Sequence, residues 1–300
     1  MSTGSTAAAR VAELVDLLRI ERLEHNLFRG VSCDVGSPAV FGGQVLGQAV
    51  MAAANTVEGR ALHSLHAYFL RPGDKEAPIL YDVDRIRDGG SFTTRRVVAI
   101  QHGQPIFNFA ASFHAAEPGP DHRAEMPAVP APDALVDHAE LRRRRPGHEA
   151  EPMRVPPRDD APIEIRPVQV FHPFTPEPHP PRAQWWMRAR APLPDDPPLH
   201  QAMLAYASDF GFVRTAMLPH GLTFWQPNVQ CVSLDHAMWF HDAFRFDDWV
   251  LYDTESPAAA HARGFVRGTL YARDGRVIAS AAQEGLIRRR APRARAQAPG

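Results

Sequence analysis

"SLHAYFLRPGD" at residues 64–74 and "SLDHAMWFHDAF" at residues 233–244 each open a long stretch, and the two stretches echo one another. The first continues as "PILYDVDRIRDGGSFTTRRVVAIQHGQPIFNFAASF" (78–113), the second as "WVLYDTESPAAAHARGFVRGTLYARDGRVIASAAQE" (249–284). Leu80-Tyr81-Asp82 matches Leu251-Tyr252-Asp253, and the turns His102-Gly103 and Asp274-Gly275 match each other. The copies are offset by roughly 170 residues, far beyond any solenoid period, so the chain is a duplicated domain.

Both copies share one grammar. A helical segment comes first: "GGQVLGQAVMAAANTV" (42–57) in copy one, "LHQAMLAYASDFGFVRTAM" (199–217) in copy two, with Asp195-Asp196-Pro197 as its start signal. Each is apolar nearly all round, which marks a buried helix. The segments after them alternate apolar and polar residues between hairpin-like turns, as antiparallel strands do. A long core helix wrapped by an antiparallel sheet is a hotdog unit, so the fold class predicted is α+β, a double hotdog. The N-terminal "VAELVDLLRIERLEHNLFRG" (11–30) predicts an amphipathic helix ending at Gly30. Most of the chain's prolines fall in residues 116–183, where little regular structure is expected. Strand-like runs at 162–171 and 184–191 open copy two. The predicted organisation is an N-terminal unit (1–115), a linker (116–161), a C-terminal unit carrying the catalytic residues (162–290) and a disordered tail (291–300).

The 300 residues are 44% hydrophobic and 22% charged with a net charge of −1, so no global attraction to nucleic acid or anionic lipid is expected. Arg142–Arg145 is the strong local charge run, read as a solvated loop or as a polyanion contact. Two cysteines, Cys33 and Cys231, fit a reducing compartment and carry no CxxC pattern, so no disulfide framework, metal or cofactor is predicted. The start lacks the pattern of a secretory signal, and no apolar run reaches the roughly 20 residues of a membrane helix. The chain is expected to be cytosolic.

Asp209 is the sole charged side chain between Gln201 and Val213. Helical spacing sets it beside Ala205, Tyr206, Phe212 and Val213. A carboxylate there is costly unless donors meet it, so hydroxyl or amide hydrogens are expected from elsewhere. Ser233 and Gln283, in polar breaks of copy-two strands, are the candidates. Alternation places Ser233 on one face with Cys231, Asp235 and Trp239. The three can hold one water, with Asp209 taking its proton. The other readings are a core aspartate tying helix to sheet, a tolerated small residue and a strand-end glutamine.

"VFGGQVLGQA", "HSLHAYFLRPGD", "RDGGSFTTRRV", "YASDF", "SLDHAMWFH", "ARGFVRG" and "QEG" occur here in the same order as in acyl-CoA thioesterase II, and the chain resembles that family from about Glu13 to Arg288. The resemblance implies a double hotdog hydrolysing fatty acyl-CoA to free fatty acid and CoA. It also implies that Asp209, Ser233 and Gln283 orient a hydrolytic water. Asp235 and His236 are read as a structural hydrogen-bond pair or as substrate positioning. Among further candidates, Gly42-Gly43 at a helix start suit an oxyanion. Arg87, Arg95 and Arg96 beside a glycine turn suit CoA phosphates or form a solvated strand end. Phe69, Phe92, Trp239 and Phe240 either line an acyl channel or pack the core. His63 and His66 lack a third metal ligand. No Gly-x-Ser-x-Gly elbow is present, which speaks against a covalent acyl-enzyme. An enoyl-CoA hydratase is the rival, but "GDKEAP" (73–78) lacks its downstream histidine; a non-catalytic acyl-CoA binding protein is the third reading. A homo-oligomer, dimer or tetramer, is expected.

Overall fold

The chain opens with helix α1 (Thr3–Leu18) in the computed structural model, which describes residues 3–145 and 160–290. Helix does not continue to Gly30 as the amphipathic pattern predicted. Beyond Leu18 the chain forms a hairpin of β1 (Glu21–Glu24) and β2 (Leu27–Gly30). The apolar stripe of α1 ends at the fully buried Leu18, and Phe28 is buried from a strand that joins the sheet. Tertiary pairing overrides local propensity there. Copy one then runs α2 (Gly42–Ala54), β3 (Ala61–Phe69), β4 (Ile79–Asp88), β5 (Phe92–Gln101) and β6 (Gln104–His114).

The proline-rich segment holds a short helix, α3 (His138–Arg143), and β7 (Ile163–Pro167). It is also more tightly docked than its composition suggests. Met126, Val129 and Leu135 pack on a cluster of Trp186, Trp249, Leu251 and Tyr271, and Trp186 Nε1 donates to the Pro130 carbonyl at 3.0 Å. Arg143 and Arg144 of the basic run pair with Glu140. Residues 146–159 of the predicted linker and the predicted tail lie outside the described residues.

Copy two comprises β8 (Arg182–Ala189), α4 (Pro197–Ser208), α5 (Arg214–Met217), β9 (Val229–Ser233), β10 (Asp235–Phe240), β11 (Val250–Ala260), β12 (Arg263–Ala272) and β13 (Val277–Arg289). The single helix expected over 199–217 is thus broken. Gly211, three residues past the end of α4, takes φ +71°, a left-handed conformation that suits glycine and keeps the helix from continuing.

All described strands form one antiparallel sheet in the order β1-β2-β4-β5-β6-β3-β10-β13-β12-β11-β8-β7, with β9 paired to β13. The copies join through β3 and β10, where His66 faces Ala237 and Leu65 faces Met238. Both long helices lie over the sheet and touch each other closely. A Cβ on Gly43 would come within 2.3 Å of the Tyr206 carbonyl, and one on Gly47 within 3.0 Å of the Ala202 carbonyl. Glycines therefore set the approach of α2 to α4, and they bring the start of α2 to the end of α4.

Candidate active site

Asp209 occupies the C-terminal cap of α4, half-buried at the helix end rather than enclosed within a longer helix as the sequence suggested. A carboxylate is not favoured by the negative end of a helix dipole, so its stability there rests on donors from the sheet. Two are present. Gln283 Nε2 donates to Asp209 Oδ1 at 3.0 Å, and Ser233 Oγ donates to the same oxygen at 3.3 Å. Gln283 Nε2 also donates to Ser233 Oγ at 2.5 Å. Gln283 is 1% exposed and lies within β13, not at a strand end. The small neighbours Ala279, Ala281 and Gly285 share its inward face and leave room for the amide.

Ser233 reaches the site through a shift in register. Strand β13 pairs Gly285 with Ser233 in β9, but Ala282 with Ala237 in β10, so one residue is added between the two. This bulge sits at Leu234, whose N–H donates to the Glu284 carbonyl while its own carbonyl accepts from Phe69 N–H. The Asp235 carboxylate accepts from Glu284 N–H at 2.6 Å. Asp235 and His236 are therefore not a pair: the aspartate completes the bulge, and the extra residue turns His236 inward on the same side as Ser233. The period-2 pattern placing Trp239 with Ser233 fails for the same reason. Trp239 is 36% exposed and packs edge-on against His66 at 5.3 Å.

His236 is fully buried and holds Gln283. Its Nδ1 lies 2.9 Å from Gln283 Oε1 and its Nε2 lies 3.0 Å from Ser208 Oγ. Burial lowers its pKa, against the opposing pull of the Asp209 charge, so the ring is neutral. Gln283 spends its N–H groups on Asp209 and Ser233, so Oε1 must be the atom that accepts, from His236 Nδ1–H. Nε2 then accepts from the Ser208 hydroxyl, whose single hydrogen is shared with a second acceptor, the Ala205 carbonyl at 2.8 Å. With that hydrogen on Nε2, the order Ser208, His236, Gln283, Asp209 donates in one direction throughout. Sequence reasoning missed Ser208 and the role of His236; the break of alternation at Leu234-Asp235 was the available signal.

With Oδ1 engaged, Asp209 Oδ2 accepts no hydrogen bond among the described residues. It faces the start of α2, where a Cβ on Gly42 would lie 2.8 Å from Oδ2 and 2.9 Å from Phe69 Cε1. The α2 cap residue, Phe41, supplies no side-chain acceptor, and the first N–H groups of a helix have no intrahelical partner. Phe41 stacks on Phe210 at 4.6 Å and meets Tyr206 edge-on at 5.2 Å. An apolar wall of Phe41, Phe69 and Phe210 thus borders one free carboxylate oxygen and one positive helix end. Cys231, also near, has its thiol pushed up to about 12, by burial first and the Asp209 charge second, so it stays protonated.

The structure brings together Asp209, Ser233, Gln283, Gly42, Gly43 and Phe69 from the sequence-derived set. Arg95 does not join them. Fully buried, it spends its five N–H donors on Thr56 Oγ1 and carbonyl, the Arg87 and Thr94 carbonyls, and Asp88 at 2.6 Å. Arg96 pairs with Asp84 at 3.1 Å, and Arg87 is exposed near the end of β4. Nor do the four aromatic residues line one channel. Phe92 stacks on His114 at 4.2 Å and Phe240 is buried beside Phe244. His63 bonds Ser112 Oγ, and among the described residues no group of three or more His, Cys, Asp or Glu could hold a metal ion. No helix among them is long and apolar enough to cross a membrane.

Residues 157–286 match the acyl-CoA thioesterase family model, and residues 31–114 match that of the acyl-CoA thioesterase N-terminal domain. The chain is 43% identical to acyl-coenzyme A thioesterase 8 of Homo sapiens, over 91% of this chain and 88% of that protein. It is 39% identical to acyl-CoA thioesterase 2 of Haemophilus influenzae, over 92% of this chain and 96% of that protein. Its fold superposes on the crystal structure of an acyl-CoA thioesterase II, TesB2, from Mycobacterium marinum, with a TM-score of 0.73 and 39% identity over 91% of this chain and 97% of that one. A hot dog protein from Alicyclobacillus acidocaldarius, 19% identical, shares the fold with a TM-score of 0.73, covering 92% of this chain and 98% of that one.

Proposed function

The chain belongs to the acyl-CoA thioesterase II family of double-hotdog thioester hydrolases, and from that premise we propose that it hydrolyses fatty acyl-CoA by direct attack of a water held at Asp209. The observation that carries the mechanism is the division of labour on one carboxylate: Oδ1 is locked by Ser233 and Gln283, while Oδ2 faces the start of α2. Oδ2 takes a proton from the water as its oxygen attacks the thioester carbonyl carbon. Charge develops on the carbonyl oxygen, where the N–H groups of Gly42 and Gly43 and the positive end of α2 stabilise it. The tetrahedral adduct collapses, the carbon–sulfur bond breaks and CoA leaves as a thiolate. The proton on Asp209 returns to solvent or to that sulfur. The acyl chain runs along Phe41, Phe69 and Phe210.

A covalent route has weaker support. Both nitrogens of His236 are engaged with Gln283 and Ser208, so no imidazole activates Ser233, and Cys231 is protonated. The test is release of CoA thiol from palmitoyl-CoA. Asp209→Asn, folded by circular dichroism, is expected to lose about 100- to 10,000-fold in kcat. Hydration of crotonyl-CoA without thiol release points to a hydratase, and binding without turnover to a non-catalytic binder; either result removes this reading.

A further inference from the structure

The arginines that sequence reasoning offered to the CoA phosphates are engaged or outlying, but another cation is not. Arg214 opens α5, five residues beyond Asp209. It has no carboxylate within ion-pairing distance among the described residues. Its guanidinium lies 5.1 Å from the Phe171 ring centroid, and Nη2 donates to the Phe171 carbonyl at 3.4 Å. Burial alone lowers its pKa, with no acid opposing the shift. By contrast, acids raise the pKa values of Arg182, Arg245 and Arg276. A partly buried guanidinium without a counter-charge has unspent capacity for an anion.

Arg214 lines a cleft of about 280 Å³ between residues 170–179 and residues 218–223. His172 and His179 line the same cleft, as does Glu177, which is solvent-exposed. The rim is aromatic. Trp225 is 37% exposed, and its ring lies 5.8 Å from that of Phe174, which sits between the lining residues His172 and Thr175. Trp225 N–H donates to Thr223 Oγ1, tying the rim to the cleft. An unpaired guanidinium inside and an open indole at the mouth match the two chemistries of a nucleotide, phosphate and base.

We propose that this cleft takes the 3′-phosphoadenosine diphosphate end of the CoA substrate, a phosphate on Arg214 and the adenine on Trp225. The assignment rests on the thioesterase reading for its choice of nucleotide. Five residues of chain separate Arg214 from Asp209 by at most about 18 Å. The assignment requires the pantetheine arm of CoA to span the interval between a nucleotide in the cleft and a thioester at Oδ2.

The test compares palmitoyl-CoA with palmitoyl-pantetheine, which carries the same thioester without the nucleotide. The ratio of their kcat/KM values falls about 10- to 100-fold in Arg214→Gln, the loss expected for a charge-assisted contact, and Arg214→Lys restores part of it. Trp225→Ala lowers the same ratio by about 5-fold or more through lost stacking. Because the ratio cancels the fraction of folded protein, an unchanged ratio overturns the assignment even in a destabilised variant. Calorimetric titration of the wild-type chain with adenosine 3′,5′-bisphosphate, inorganic phosphate and pantetheine gives a second readout that needs no turnover. Binding of the bisphosphate, lost in Arg214→Gln, supports the cleft even if the wild type cleaves no thioester, in which case the thioesterase reading alone fails. No binding of the bisphosphate to the wild type overturns the proposal, as does equal binding of bare phosphate, which marks a general anion site.

Discussion

A glutamine amide can turn either end toward a partner, and for Gln283 only one end serves. If Oε1 faced Asp209, two acceptors would meet in a half-buried site, and Ser233 would lose its neighbour's N–H. His236 Nδ1–H selects the useful orientation, because a neutral ring bonded at Nε2 by Ser208 has a donor to offer only at Nδ1. His236→Leu is expected to lower kcat about 10- to 100-fold with KM little changed, whereas His236→Asn, which can still present an N–H to Oε1, keeps most of the activity. Equal losses in both variants contradict this orienting role. Asp209, Ser233 and Gln283 were legible in the sequence because each interrupts an apolar run and so must answer for its own desolvation. His236 was not, since the adjacent Asp235 and His236 mark a break in alternation without showing which of them a bulge turns inward. Arg95 misled for a related reason: a basic residue beside a glycine turn looks available until its five donors are seen to be spent.

The two helices meet through glycine, and two adjacent glycines do different work. Gly43 lies under the Tyr206 carbonyl, so a methyl there pushes backbone against backbone. Gly43→Ala is expected to cost about 1–3 kcal/mol, read as a lowered denaturation midpoint. Gly42 faces Asp209 Oδ2 and the movable Phe69 ring. Gly42→Ala is expected to abolish most turnover with a smaller loss of stability, since its methyl occupies the space assigned to water and carbonyl. If both variants lose stability and activity in the same proportion, the start of α2 is packing alone. Helix α2 was legible from its apolar surround and its glycine start. The break after Ser208 was not, because the apolar pattern runs on through Phe210, Phe212 and Val213 while one residue, Gly211, reverses the backbone. The same break puts Asp209 at a helix end facing the start of α2, and carries the chain on to Arg214 at its cleft.

Duplication was readable from the repeated segments, but not how the copies join, because sequence offset is silent about which strand edges meet. The β3–β10 junction makes the two units one sheet, and the proposed catalytic set draws on both: Gly42, Gly43 and Phe69 from the first, Asp209, Ser233 and Gln283 from the second. The prolines correctly marked a region poor in regular structure but said nothing of its docking onto Trp186 and Trp249. Burial also sets a property of the whole chain. It lowers the pKa values of the buried His200 and His236 and of the half-buried His63. Unfolded histidines take up protons near the ordinary 6.5 while the folded ones resist. The unfolded state therefore binds more protons as pH falls through that value, and stability declines. Depressed carboxylates such as Asp88 and Asp247 extend the loss below the ordinary 3.8, by the same sign. The melting temperature is expected to be lower at pH 5 than at pH 8, with a smaller drop in His236→Asn; a melting temperature flat across that interval contradicts the burial of neutral imidazoles.

The central claim is that water, not the Asp209 carboxylate, forms the new bond to the acyl carbon. A single turnover with enzyme in excess, run in heavy-oxygen water and read by mass spectrometry of the fatty acid and of the Asp209 peptide, tests it most directly. One heavy oxygen in the acid released on that first turnover, and none in the peptide, is the predicted result. An unlabelled acid with the heavy oxygen in Asp209 would show an anhydride intermediate and contradict the account.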